Sequence, residues 1–365
     1  MEEDTTSTRL DRRQFLKVAS LAGGGIFLVA CAPAAAPPPT PIGKAPAQAP
    51  APAAATPTQP AKPKVSASID FASTAGGVGL HMMPLLVAQE LFLKEEGITQ
   101  KITNYSGGGD TVRGVVTGGQ QIGHPAPNAV AIAAAEGQPT RLIAMNLPFA
   151  TIFWIVKADS PLKSAKDLKG KKLGYSRPGS VSQTYALTVL RSVGLEPEKD
   201  VQLVAAGGAP DQMAAVKGGV IDVGWSVDPL LTQELLKKEV RIVFSADEFI
   251  PSWSESMLAT TVDYAKANGE VLTAYLRAHD KALNYIKTST EKAAEIWGKG
   301  QGVALEVAKE AVKNYPVQKY TSKIDPAILK AISDDMLANK QIEKAPDWKQ
   351  IVDQSFLAPE LRTQI

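Results

Sequence analysis

The sequence predicts an α/β protein of two similar βαβαβ lobes around a ligand cleft, with a helical C-terminal extension. Three observations predict it. Short apolar runs alternate with helical stretches from residue 66 to residue 244, the pattern of a mostly parallel sheet with crossover helices. The first half of that region repeats in the second at a nearly constant offset. Beyond it, Leu272, Tyr275, Leu276, His279, Leu283 and Ile286 recur at helical spacing.

The first lobe is expected to open with strand Ser66–Phe71 and the Gly-rich loop Ser73–Gly79, then a helix over Met83–Glu95 that stops at Glu96-Gly97. Strand Thr99–Tyr105 runs into Ser106–Asp110, where Asp110 is placed to cap helix Thr111–Thr117. Gln121–His124 is a short strand, Pro125–Asn128 opens a helix ending at Glu136-Gly137, and Arg141–Met145 is a strand. The second lobe repeats the order: strand Leu173–Ser176, helix Gln183–Val193, strand Val201–Val204, helix Gln212–Lys217, strand Ile221–Trp225, a helix opened by Ser226–Pro229, and strand Val240–Phe244.

The repeat is specific. Ser73, Gly76 and Val78 fall 103 residues before Ser176, Gly179 and Val181; Asp110 falls 101 before Asp211; Gly118-Gly119 falls 100 before Gly218-Gly219; Gly123-His124 falls 101 before Gly224-Trp225. The chain is expected to cross between lobes near Asn146–Phe153 and again near Asp247–Ser256, the β-prone run Ile152–Lys157 entering the second lobe. Lobe 1 then covers 65–150, lobe 2 covers 151–250, and 251–365 returns to lobe 1 with helices packed on its outside. Those helices are placed over Glu291–Trp297, Leu305–Asn314, Pro326–Asn339 and Trp348–Asp353.

In parallel α/β sheets, ligands meet the loops at the carboxyl ends of the strands. Two facing lobes bring to one cleft Thr74, Gly76, Gly77, Gly108, Gly109, His124 and Asn128 from the first, and Arg177, Gly179, Ser180, Trp225 and Asp228 from the second, with Trp253 at the return crossing. Helix starts with free N–H groups near Gly109, Asn128 and Ser180, and Arg177 beside them, suit an anion. Asp110 and Asp211 at two of those starts disfavour a small inorganic anion. Tyr105, Phe149, Tyr175, Trp225 and Trp253 can stack on an aromatic or heterocyclic ring, with Phe149 and Tyr175 equally suited to the core. His124 can donate to a ligand oxygen, whereas His81 and His279 are expected to be structural.

Composition bounds the function. The 365 residues are 44% apolar and 21% charged with a net charge of +2, so no basic field points to nucleic acid. Arg12-Arg13-Gln14-Phe15-Leu16-Lys17, the 13-residue apolar run Val18–Ala30 and then Cys31 have the order of an export signal, spanning residues 1–30. Leu28-Val29-Ala30-Cys31 resembles a bacterial lipobox, so Cys31 is expected to be acylated. It is the only cysteine, which excludes intramolecular disulfides and a thiolate metal site. Residues 31–64, rich in Ala and Pro, read as a disordered tether to a membrane lipid anchor. There is no HExxH, no His/Cys pair at metal spacing and no nucleophile elbow around Ser180; no catalytic residue, metal or cofactor is expected.

An ordered set of short motifs carries a family resemblance over roughly Val65 to Phe244. It comprises Ala88-Gln89-Glu90-Leu91-Phe92 with Glu96-Gly97-Ile98, Gly118-Gly119 with Ile122-Gly123, Ala135-Glu136-Gly137-Gln138-Pro139, and Asp159-Ser160-Pro161-Leu162. It continues with Asp167-Leu168-Lys169-Gly170-Lys171-Lys172, Gly179-Ser180, Gly194-Leu195 and Gly218-Gly219-Val220-Ile221-Asp222. The chain resembles the solute-binding proteins of ABC importers, in the family of nitrate-, taurine- and alkanesulfonate-binding proteins and thiamin-pyrimidine-precursor binders. That resemblance implies a type II periplasmic-binding-protein fold. It also implies a monomeric, extracytoplasmic protein that closes on a small organic solute, a sulfonate-like anion or an aromatic or heterocyclic compound, and delivers it to an ABC permease and its ATPase. The alternatives are an enzyme related to pyrimidine synthesis on the same fold, or an exported sensor. The yeast pyrimidine synthases of this fold carry a Cys-rich motif, which a chain with Cys31 alone lacks.

Overall fold

The computed structural model describes residues 65–365; the export signal, Cys31 and the tether lie outside the described residues. The chain makes two similar passes. The first is β1 (Ala67–Ser73), α1 (Met82–Leu91), β2 (Ile98–Asn104), α2 (Gly108–Val116), β3 (Ile122–Gly123), α3 (Pro127–Ala135) and β4 (Thr140–Leu147). The second is β5 (Phe153–Lys157), β6 (Lys172–Tyr175), α4 (Val181–Ser192), β7 (Gln202–Ala205), α5 (Ala209–Lys217), β8 (Gly224–Ser226), α6 (Leu230–Leu236) and β9 (Val240–Ser245). Strand β10 (Ser256–Thr261) returns to the first sheet, followed by α7 (Val262–Ala267), α8 (Gly269–Thr288), α9 (Thr290–Gln301), α10 (Leu305–Val312), α11 (Pro326–Ala338) and α12 (Trp348–Ile351).

The first sheet has the order β2-β1-β3-β10-β4, with β10 antiparallel to both of its neighbours and β1 parallel to β2 and β3. In the second pass β5 lies antiparallel between β8 and β9, and β6 pairs parallel with β7. A parallel bridge from Leu173 to Val223 joins the two pieces. The second lobe therefore reads β7-β6-β8-β5-β9, matching the first strand for strand. The repeat in sequence is a repeat in topology. Each sheet holds one antiparallel strand that arrives through a crossing, and the two crossings, 148–152 and 246–255, lie side by side. They are bonded to each other through Ala246 N–H to the Ile152 carbonyl at 2.9 Å.

Local chemistry explains the helix starts. Pro127 stands in the first turn of α3, where its missing N–H costs nothing. The Ser180 hydroxyl accepts from Gln183 N–H at 3.3 Å and caps α4. Asp211 Oδ2 accepts from Gly208 N–H at 3.0 Å at the start of α5. Asp110 departs from its expected role: α2 begins three residues earlier, with Gly107 at the N-cap, and Asp110 stands inside the first turn. A run of three glycines tolerates either start, so the tertiary contact decides.

The C-terminal helices also depart from expectation. Helices α8 and α9 pack on α1 of the first lobe. Helix α11 instead touches both α3 and α4, and Arg191 of α4 reaches Asp335 at 2.9 Å and Asn339 at 2.8 Å. The tail thus spans both lobes. Its apolar face, Ile328, Leu329, Ile332 and Met336, joins one continuous core with Leu142, Tyr185, Val189, Trp225 and Trp253. Among the described residues, no helix is long and apolar enough to cross a membrane.

Candidate functional site between the lobes

The loops at the carboxyl ends of β1, β2, β3, β6 and β8 meet the two crossings around a cavity of about 30 Å³, space for a water or two. Its walls include Thr74, His81 and Gly108 from the first lobe, Ser176, Ser180, Ser182 and Trp225 from the second, and Ile152 and Glu255 from the two crossings. A wider groove of about 340 Å³ lies between α2 and α3 against Pro178 and Gly179. It holds none of the buried polar side-chain atoms that lack a partner. The smaller cavity is therefore the chemically distinctive one.

Two residues of its wall carry buried polar atoms without protein partners, His81 at Nε2 and Trp225 at Nε1, and both ring nitrogens of His124, behind His81, are likewise unpartnered. Native proteins satisfy nearly all such groups, so a cluster of them marks a place for another molecule. The His81 and His124 rings meet edge to face at 4.8 Å. Burial pushes His81 down to about 4, opposed by a hydrogen bond to the Thr74 backbone. Burial likewise holds His124 well below the usual range, and the neighbouring His81 and His279 add to the effect. Both rings are neutral at physiological pH.

Glu255 is the acidic group of the site. It is 7% exposed. Its carboxylate accepts from Thr151 N–H, the Thr151 hydroxyl and, at 3.2 Å, Ile152 N–H. Burial outweighs these bonds and pushes its carboxyl up to about 7. One side chain thus ties the return crossing to the outgoing one and borders the cavity.

The other predicted residues form the seam where the lobes touch. Asn128 Nδ2 donates to the Gly179 carbonyl at 3.1 Å and to Thr184 Oγ1 at 3.0 Å across it. A Cβ on Gly109 would stand 3.5 Å from the Pro178 carbonyl, and one on Gly208 would lie 3.3 Å from both Ala75 C and Gly76 N. At Gly208 the lips approach this closely because the position has no side chain; Gly109 would accept one at ordinary contact. Arg177 sits at the rim, 3.6 Å from Asp110, with its side chain 45% exposed.

The remaining four predicted residues lie off both the cavity wall and the seam. Asp228 accepts from Thr232 N–H at 2.9 Å and from the Tyr315 hydroxyl at 2.9 Å, so it caps α6 and ties the second lobe to the tail. Burial raises its carboxyl despite those bonds. Trp253 packs edge to face on Tyr185 at 5.4 Å. Gly77 faces Asn104, and its carbonyl accepts from Gln301 at 3.0 Å. His124 lies behind His81. Of the other aromatics, Phe149 packs on Tyr315 and Tyr320, and Tyr105 donates to Gln120 Oε1 at 2.6 Å. His279 is structural, its Nε2 3.2 Å from the Met145 carbonyl. Sequence reasoning missed Glu255 and Ser182 as lining residues and read His81 as structural. The available signal for Glu255 was an acid in the polar run Ser252–Ser256 of a predicted crossing.

Comparison with known proteins agrees with this geometry. The family described as "NMT1/THI5 like" matches residues 80–293. A protein of Escherichia coli (strain K12) provisionally named an aliphatic sulfonates-binding protein is 26% identical over 188 residues, 51% of this chain and 54% of that protein. One of Haemophilus influenzae, provisionally named a thiamine biosynthesis protein, is 29% identical over 162 residues, 44% of this chain and 50% of its own. The chain thus spans about half the length of the curated relatives it matches. The alkanesulfonate-binding protein SsuA from Xanthomonas axonopodis pv. citri, bound to MOPS, superposes with a TM-score of 0.66 at 16% identity, covering 78% of this chain and 98% of that one. The fold is that of the periplasmic binding proteins, and the chain belongs to the NMT1/THI5-like family.

Proposed function

We propose that this chain is an exported, lipid-anchored solute-binding protein that closes on a small organic solute between its lobes and delivers it to an ABC permease and its ATPase. The observation that carries the reading is the meeting of two topologically repeated lobes over a cavity bordered by unpartnered buried polar atoms. A ligand site for a small organic molecule needs a few hundred Å³, ten times the enclosed space here. The lobes must therefore part at the 148–152 and 246–255 crossings to admit it, and binding shifts the population toward closure. An enzymatic reading has less support: Ser180 bonds Ser182 and Gln183, Asp228 bonds Thr232 and Tyr315, and neither meets His124.

Native mass spectrometry of the purified full-length chain, with a thermal-shift panel of small organic solutes, tests the reading. One bound solute per chain, with no turnover, is the expected result; steady product formation overturns it. Cys31→Ala should move the chain from the membrane to the soluble fraction of its host.

A further inference from the structure

We propose that the solute held in this cleft carries a protonated nitrogen, an amine or amidinium group, seated against the Glu255 carboxylate and the His81 ring, and is not an oxyanion. This rests on the reading of the cleft as a solute site. The cavity wall holds one ionisable acid and no lysine or arginine. The donors that Glu255 already has, from Thr151 and Ile152, are neutral and come from the outgoing crossing. A buried carboxylate is stabilised by an opposite charge, and the described wall supplies none.

His81 points the same way. Its ring borders the cavity, burial keeps it neutral, and its Nε2 has no protein partner. A carboxylate and a neutral imidazole beside one small cavity suit a group with several N–H donors. An ammonium offers three and an amidinium offers more. Trp225, also on the wall, has an unpartnered Nε1, a donor only, which suits an acceptor elsewhere on the same solute.

A sulfonate or nitrate group would bring negative charge against Glu255 in a desolvated space. The nearest guanidinium on the cleft rim, that of Arg177, is directed to Asp110. The ligand named for a relative that shares 26% identity therefore does not transfer to this wall.

The test is calorimetric titration of the full-length chain at pH 7.5 with ethanolammonium, guanidinium and benzamidinium. The comparison probes are benzamide, which has a similar shape and no charge, and benzoate, ethanesulfonate and nitrate. The expected result is binding of at least one cation, at least tenfold tighter than benzamide or any anion. Folded Glu255→Gln should weaken that cation at least tenfold, and Glu255→Asp should restore part of the loss. The ranking on the unmodified chain needs no variant, so a misfolded Glu255→Gln leaves the test intact. Anions binding more tightly than cations, or cations binding equally to Glu255→Gln, overturn the inference and leave the solute-binding reading standing. A chain that carries no solute and binds no probe removes both.

Discussion

Glu255→Gln should stabilise the unliganded protein at alkaline pH and not at acid pH. Burial raises the Glu255 carboxyl from 4.5 to about 7. A carboxyl with a raised folded value binds more protons in the native state than in the unfolded one. Its favourable contribution is complete below about pH 4.5 and is lost as pH rises through about 7. That shift corresponds to about 3 kcal/mol above pH 8, since each unit is worth about 1.4 kcal/mol. Glutamine keeps the shape, has no charge, and retains one oxygen to accept the two backbone N–H groups. The groups around Glu255 do not titrate in this window: His81 is neutral above about 5, and Tyr185, Tyr315 and Tyr320 are all pushed above the usual tyrosine range. Urea unfolding of both proteins between pH 5 and 8.5, followed by tryptophan fluorescence, measures the difference directly. The variant should gain up to about 3 kcal/mol at pH 8.5 and little or nothing at pH 5. A difference that stays constant over this range would refute the argument that desolvation sets the ionisation of Glu255.

The histidines predict the opposite slope. His81 and His279 are depressed to about 4, so stability present above pH 6.5 should fall as pH drops toward 4, by about 3 kcal/mol for each group; flat stability between pH 6.5 and 4.5 contradicts this. Asn128→Ala removes two donors across the seam and should favour the open form by about 1–2 kcal/mol, read as a larger radius of gyration in small-angle scattering. Asp228→Ala should cost about 2–3 kcal/mol of stability, because it uncaps α6 and strands the Tyr315 hydroxyl, while leaving solute affinity unchanged; an affinity loss with stability intact would return Asp228 to the binding site. Trp225→Ala should weaken solute binding by about 1–3 kcal/mol, measured on protein whose circular dichroism is native, and unchanged affinity would make the ring purely structural.

The sequence alone determined the architecture. Alternation of strand and helix, and an internal offset near 101 residues, are local patterns, and local patterns survive without coordinates. Asn146–Phe153 and Asp247–Ser256 were expected as the crossings, and Thr151 and Glu255 within them are bonded to each other. Many loop positions that face the seam were legible too, since glycines and helix starts mark strand ends: Gly76, Gly109, Asn128 and Gly179 all stand where the lobes meet.

What each of those residues touches was decided only by the tertiary structure. Asn128 was placed as a ligand contact, and the fold gives it a carbonyl and a hydroxyl on the other lobe. Asp228 and Trp253 have the chemistry of binding residues, yet Tyr315 and Tyr185, 87 and 68 positions away, take up their faces. Glu255 shows the reverse. In sequence it is one acid among serines; in the fold, two crossings more than a hundred residues apart close around it, exclude water and change its ionisation. Desolvation depends on which segments pack together, and no spacing along the chain encodes it.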